Sequence, residues 1–189
     1  MTLDDVIADI QSNWARVVAP RADRDLDDYQ WDRALAAEFP GHSAWNIGDG
    51  FNYSKCYTYV IPVDTEDLSY EEWFAHEPEV ITRLGGQEYL IVLKLSVVAP
   101  YYLETMIQRT IDDQGRIKER ETEPMGAEQL ELTQRSLQFA ERNGFTQLPK
   151  EFINELVPHA ALELAEPGTV TVYNCLFEDE HNLPTPYTR

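Results

Sequence analysis

The stretch 87–98 constrains the fold more than any other part of the chain. In an extended conformation Tyr89, Ile91, Leu93 and Leu95 point to one side, and Leu90 and Val92 to the other. Neither side offers the run of polar residues that a solvated face requires. A strand apolar on both sides belongs inside a sheet that is covered above and below. The sequence therefore predicts an interior strand with helices on at least one face.

The segments around it supply those layers. A helix is predicted from Thr2, with Asp5 completing a capping box and Leu3, Val6, Ile7, Ile10, Trp14, Val17 and Val18 recurring at helical spacing up to Pro20. A second helix is predicted over 25–38, its early Asp25, Asp27 and Asp28 suiting the positive end of a helix dipole. Over 55–63 the period changes to two, with Tyr57, Tyr59, Ile61 and Val63 on one face and Cys56, Thr58 and Val60 on the other. Pro62 puts the end of that strand at a boundary.

Ser69 and Glu72 form a second capping box, and Gly85 and Gly86 close the helical segment that follows. Asp112-Asp113-Gln114-Gly115 reads as a hairpin turn between polar arms over 101–111 and 116–123, a half-exposed hairpin at a sheet edge. Lys118 and Arg120 guard that edge against stray pairing. A helix over 127–143, with Leu130, Leu132, Leu137, Phe139 and Ala140 as its apolar stripe, ends at Gly144. Pro149 suits the first turn of a short helix reaching Leu156, and 170–177 reads as a last strand.

Regular strand–helix alternation of the doubly wound kind is missing. The expected fold is α+β: a single domain over 1–177 with a mixed or antiparallel sheet of about five strands and helices packed on it. A poorly ordered tail is expected over 178–189.

Composition limits the partners. With 34 acidic against 15 basic residues the net charge is −19, which repels nucleic acid and anionic membranes. Neither is expected as a partner; a basic protein, steered by the field, is. The 21 aromatics (4 Trp, 10 Tyr and 7 Phe) suffice for a core without disulfides. The N-terminus has neither a basic region nor an apolar one of the secretory kind, and the longest apolar run is broken by Lys94. The expected location is the cytoplasm, with Cys56 and Cys175 as reduced thiols.

Chemical signatures are sparse. The P-loop, zinc-helix, paired-cysteine and nucleophile-elbow patterns do not occur, and Gly48-Asp49-Gly50 reads as a turn. No cofactor or metal is expected. His42, His76, His159 and His181 are not paired at ligand spacing, and Glu178-Asp179-Glu180-His181 reads as a solvated acidic tail. Lys55 precedes Cys56, yet alternation turns the two side chains to opposite faces, and both cysteines read as small core residues.

One region stands out. Trp31, Trp45 and Tyr53, with Phe51, Tyr57 and Tyr59, crowd a short segment beside Asp25, Asp27, Asp28 and Asp32. Aromatics with acidic neighbours suit recognition of a basic, partly apolar partner. The expected function is thus that of a non-enzymatic interaction or inhibitor protein of immunity type. The alternative is a hydrolase whose site is assembled from distant carboxylates and histidines. Leu148-Pro149-Lys150-Glu151-Phe152 resembles the Leu-Pro-led helix of certain immunity proteins over those residues alone, and no property is carried over from it.

Overall fold

In the computed structural model, which describes residues 1–19, 31–47, 54–64, 69–166 and 168–178, the doubly apolar stretch occupies the middle of a sheet. In chain order the elements are α1 (Leu3–Ser12), α2 (Trp14–Val18), α3 (Asp32–Glu38), β1 (Trp45–Asn46), β2 (Cys56–Pro62), α4 (Tyr70–Ala75), α5 (Glu77–Arg83), β3 (Gln87–Ser96), β4 (Tyr101–Ile111), β5 (Ile117–Thr122), α6 (Ala127–Arg142), β6 (Thr146–Gln147) and α7 (Val172–Leu176). Strands β1 to β5 lie side by side in chain order, each antiparallel to the next. The short β6 adds in parallel beside the start of β4. The result is one α+β domain built on an open sheet.

The two faces are covered differently. On the first, Tyr57, Tyr59 and Ile61 of β2, Ile91, Leu93 and Leu95 of β3, and Tyr102 and Met106 of β4 pack under Leu35 and Phe39 of α3 and its C-terminal flank. Leu132, Phe139 and Ala140 of α6 complete that layer. The second face is divided. At one end Cys56, Tyr101 and Leu103 meet Val6 and Ile10 of α1 and the buried residues of α7. At the other, Val60, Leu90 and Ile107 meet Trp73 of α4 and Val80 of α5. Between the two apolar clusters Thr58, Lys94 and Thr105 form a buried polar belt.

Local chemistry explains most element ends. Both capping boxes form, Thr2 with Asp5 and Ser69 with Glu72. Helix α6 closes with paired bonds from Phe145 N to Ala140 O and from Gly144 N to Glu141 O, with Gly144 at φ 85° in the region that favours glycine. Asp112 Oδ1 accepts from the backbone of Gln114 and Arg116 and sets the hairpin turn.

Several expectations need correction. The first helix breaks at Asn13, whose backbone and side chain both bond to Asp9 O. Strand β4 is interior, because it pairs with β3 as well as β5, so of the two hairpin arms only β5 is at an edge. Leu130 is 45% exposed and Ser136 takes its place on the buried stripe of α6. Pro149 precedes only a 3-10 turn, Lys150–Phe152. The greatest departure is at 170–177, where the structure forms α7 instead of a strand. Thr171 caps it, accepting from Asn174 N, while Asn174 Oδ1 accepts from Thr171 N. Val172, Tyr173, Asn174, Cys175 and Leu176 are all buried, so this helix shows no amphipathic period in the sequence. The part of the second predicted helix before Trp31, and the tail beyond Glu178, lie outside the described residues.

Replacing Thr171 with valine tests that correction. Valine keeps the β-branch that a strand favours but removes the cap acceptor, so we expect a loss of about 1 kcal/mol. A lowered urea midpoint at unchanged slope is the expected result; an unchanged midpoint would contradict the capped helix.

Candidate functional site

The most elaborate polar arrangement lies on the divided face, near the sheet edge. Antiparallel register puts Glu88 of β3, Arg109 of β4 and Glu119 of β5 in one rung across the sheet. Arg109 Nη1 donates to Glu88 Oε2 at 3.0 Å, and Nη2 donates to Glu77 Oε1 of α5 at 2.6 Å. Glu119 Oε1 stands 3.2 Å from Arg109 Nε, within ion-pair range, although Nε makes no aligned hydrogen bond. Trp73 of α4 joins the group twice: its indole N–H donates to Glu88 Oε1 at 2.6 Å, and the Arg109 guanidinium lies 4.9 Å from its ring centroid. Burial pushes the Glu88 carboxyl above its ordinary value, opposed by the Trp73 bond and by Arg109.

Trp73 also belongs to an aromatic stack. Its ring lies 5.1 Å from Trp45 and 6.1 Å from Tyr70, and Tyr70 stacks on Phe74 at 5.8 Å. Phe74, the outermost ring, is 61% exposed. Asp64, Glu71, Glu72 and Glu79 are exposed nearby in sequence on the same helical segment and its approach. Between α5 and β5 a groove of about 400 Å³ opens, lined by Glu77, Arg109, Ile117, Lys118 and Glu119.

A second arrangement is closed. Lys94 Nζ donates to Tyr173 OH at 2.9 Å and to Glu178 Oε1 at 2.5 Å, and Tyr173 OH donates to Glu178 Oε2 at 2.9 Å. This triad ties α7 and the residues after it onto β3. Cys56 lies on the same face, with Sγ 3.4 Å from Thr58 Oγ1. Burial raises the Cys56 thiol above its usual value, with Lys94 opposing. Lys94, on the next strand, is thus a cation that acts on Cys56. Both cysteines are free and buried.

A third group faces α6. Glu104 Oε1 is buried without a hydrogen-bond partner. Burial raises this carboxyl to about 7; Lys150 opposes the shift, and Glu123 and Glu121 add to it.

Of the residues singled out in the sequence, Trp31 and Trp45 lie on opposite sides of the sheet. Trp31 packs edge-on against Phe139 and Phe145, on the α6 side of the sheet. Trp45 packs with Trp73 on the opposite side. Tyr59 OH donates to Asp32 at 2.6 Å, which fastens α3 to β2. Tyr57 and Tyr59 are core. Asp25, Asp27, Asp28 and Tyr53 lie outside the described residues. His42 faces Glu128 at 3.9 Å, and His76 joins α4 to α5. Among the described residues no three His, Cys, Asp or Glu side chains stand where they could hold a metal ion, and no helix is long and apolar enough to cross a membrane.

Sequence reasoning missed the Glu88–Arg109–Glu119 rung. Its signal lay in the turns: Asp112–Gly115 sets Arg109 opposite Glu119, and a tight turn over 97–100 sets it opposite Glu88. No protein-family model matches the chain, and no curated protein or solved structure matches it either.

Glu104 generates a pH prediction. Its folded-state value of about 7 lies above the ordinary 4.5, so the native state holds a proton that the unfolded chain releases. Stability linked to this group is full below pH 4.5 and is lost as pH rises through 7. Glu104→Gln removes the dependence. Relative to the parent, the variant should gain stability of the order of 3 kcal/mol at pH 8 and little at pH 4.5. Denaturant unfolding of both proteins at the two pH values measures the difference; equal stability at pH 8 would refute it.

Proposed function

We propose that this protein is a non-enzymatic interaction protein, of inhibitor or immunity type, that binds a basic protein partner through its α4–α5 face. The observation that carries this reading is the exposed Phe74 at the outer end of the Trp45–Trp73–Tyr70–Phe74 stack, on a helical segment that also carries exposed carboxylates. A single exposed apolar side chain is ordinary. An aromatic backed by three more rings is different, because it is a rigid anchor that loses little entropy when covered. Glu71, Glu72 and Glu79 on the same helices favour a cationic rim on whatever covers it. The net charge of −19 speaks for the same partner at long range. The two free cysteines suit a reducing compartment such as the cytoplasm.

The reading assigns separate roles to charge and ring. Charge sets the rate of encounter, and the aromatic anchor sets the lifetime of the complex. Capture from the native host should yield a protein of basic isoelectric point. Its association rate should fall by about tenfold or more between low and high salt. Phe74→Ala should leave that rate nearly unchanged and raise the dissociation rate by about tenfold or more. A captured partner that is acidic or neutral, with an association rate indifferent to salt, would sink the proposal.

A further inference from the structure

We propose that Lys150 is a proton-linked clamp across a break in the sheet, held by Glu121 while Glu104 carries its proton and drawn from Glu121 to Glu104 when that proton leaves. The break follows from the register. Strand β5 stops at the Met106–Thr122 pair and β6 at the Tyr102–Gln147 pair, both on the edge of β4 that faces away from β3. Glu104 lies between those two pairs. Leu148 N donates to Tyr102 O, and backbone groups two residues apart on a strand point to the same edge, so the N–H and C=O of Glu104 face the break. Its side chain shares the face of Tyr102 and Met106, under α6, whereas Glu121 stands opposite Ile107 on the other face. Lys150, in the turn that follows β6, pairs with Glu121 and so ties that turn to the end of β5.

Two observations mark Glu104 as the second seat for this ammonium. Its Oε1 is buried without a hydrogen-bond partner, an acceptor whose desolvation nothing offsets. Lys150 also acts on its carboxyl, against burial, Glu123 and Glu121, and the balance leaves the group at about 7. Once Glu104 ionises, three carboxylates from β4, β5 and the β5–α6 connection crowd one lysine. The buried anion gains more from that cation than Glu121 does, because Glu121 is 26% exposed and water screens the outer pair. The flexible four-carbon stem of Lys150, itself 50% exposed, permits the exchange. Glu121 then loses this counter-charge, and Glu121 and Glu123 repel Glu104, which loosens the end of β5. The other neighbours do not titrate with Glu104. Leu93 opposite it on β3 is apolar, and burial, with Glu141 of α6 adding to it, holds the Tyr102 hydroxyl far above its ordinary value. The sign agrees with the stability linked to Glu104: the clamp is closed at low pH and opens as pH rises through 7.

A carboxyl-carbon NMR titration of the full chain from about pH 4 to about pH 9 tests the clamp, with Glu104→Gln identifying the Glu104 resonance. Glu121 should show, besides its own acid transition, a second inflection at the Glu104 midpoint, and Glu104→Gln should remove it. Lys150→Met, at a half-exposed position, should move the Glu104 midpoint up by about half a pH unit. Glu121→Gln should move it down by about as much, because it removes a repelling charge and frees the lysine. Amide exchange supplies the structural readout. Corrected for the intrinsic effect of pH, protection of the β5 amides Arg120 and Thr122 should fall by about tenfold between about pH 5.5 and about pH 8.5, beyond any change in β3. In Glu104→Gln the two strands should keep step. A Glu104 midpoint indifferent to both Lys150→Met and Glu121→Gln, a Glu121 curve without the second inflection, or β5 protection that follows β3 in the parent would each overturn the clamp.

Discussion

Because β3 is apolar on both sides and paired along both edges, the sheet has no solvated face at its centre, and every other element is placed by the need to cover it. Helix α6, with α3 beside it, covers one side as a continuous layer. The other side is covered by two unrelated pieces, α1 with α7 at one end and α4 with α5 at the other. Two pieces meeting over one sheet leave a seam. The buried polar side chains of that face gather toward the seam and the sheet edge, where an apolar layer does not close over them.

The two buried cations of that face end in contrasting states. Lys94 is closed off: Tyr173 and Glu178 bind it, and the pairing itself anchors the end of α7. An ion pair so enclosed costs desolvation that its Coulomb energy roughly offsets, so its value is more one of position than of stability. Arg109 is finished on the side of Glu88 and Glu77 but only loosely on the side of Glu119. The asymmetry follows from topology. Lys94 lies under a helix, and Arg109 lies one strand from an open edge.

How much of this the sequence disclosed depends on the range of each signal. Capping boxes, the Asp112 turn and the Gly144 terminus are decided within a few residues, and each forms as read. The two-faced character of 87–98 is likewise local, and the strand is interior. Segment 170–177 misled because β-branched and aromatic residues in a short run favour a strand, while a five-residue helix buried on all sides has no periodicity to announce it. The Thr171–Asn174 box was the legible sign. Trp31 and Trp45 are close in the chain but separated by the thickness of the sheet, a fact that proximity in sequence conceals. The Arg109 rung required two hairpin registers at once, and only one of its turns carries a glycine signature.

The distribution of cations sharpens the character of the surface. Lys94 and Arg109 are buried against carboxylates; Arg142 reaches Glu38, Lys150 reaches Glu121, Arg135 reaches Glu131, and Arg116 reaches Asp112. Much of a small complement of basic side chains is thereby engaged within the molecule. Acidic residues outnumber basic ones 34 to 15, so even one-to-one pairing of every basic side chain leaves a surplus of negative charge. An approaching cation thus meets a negative field that the basic side chains only partly neutralise. The exposed Glu71, Glu72 and Glu79 of α4 and α5 lie within that field, on the elements that carry Tyr70, Trp73 and Phe74.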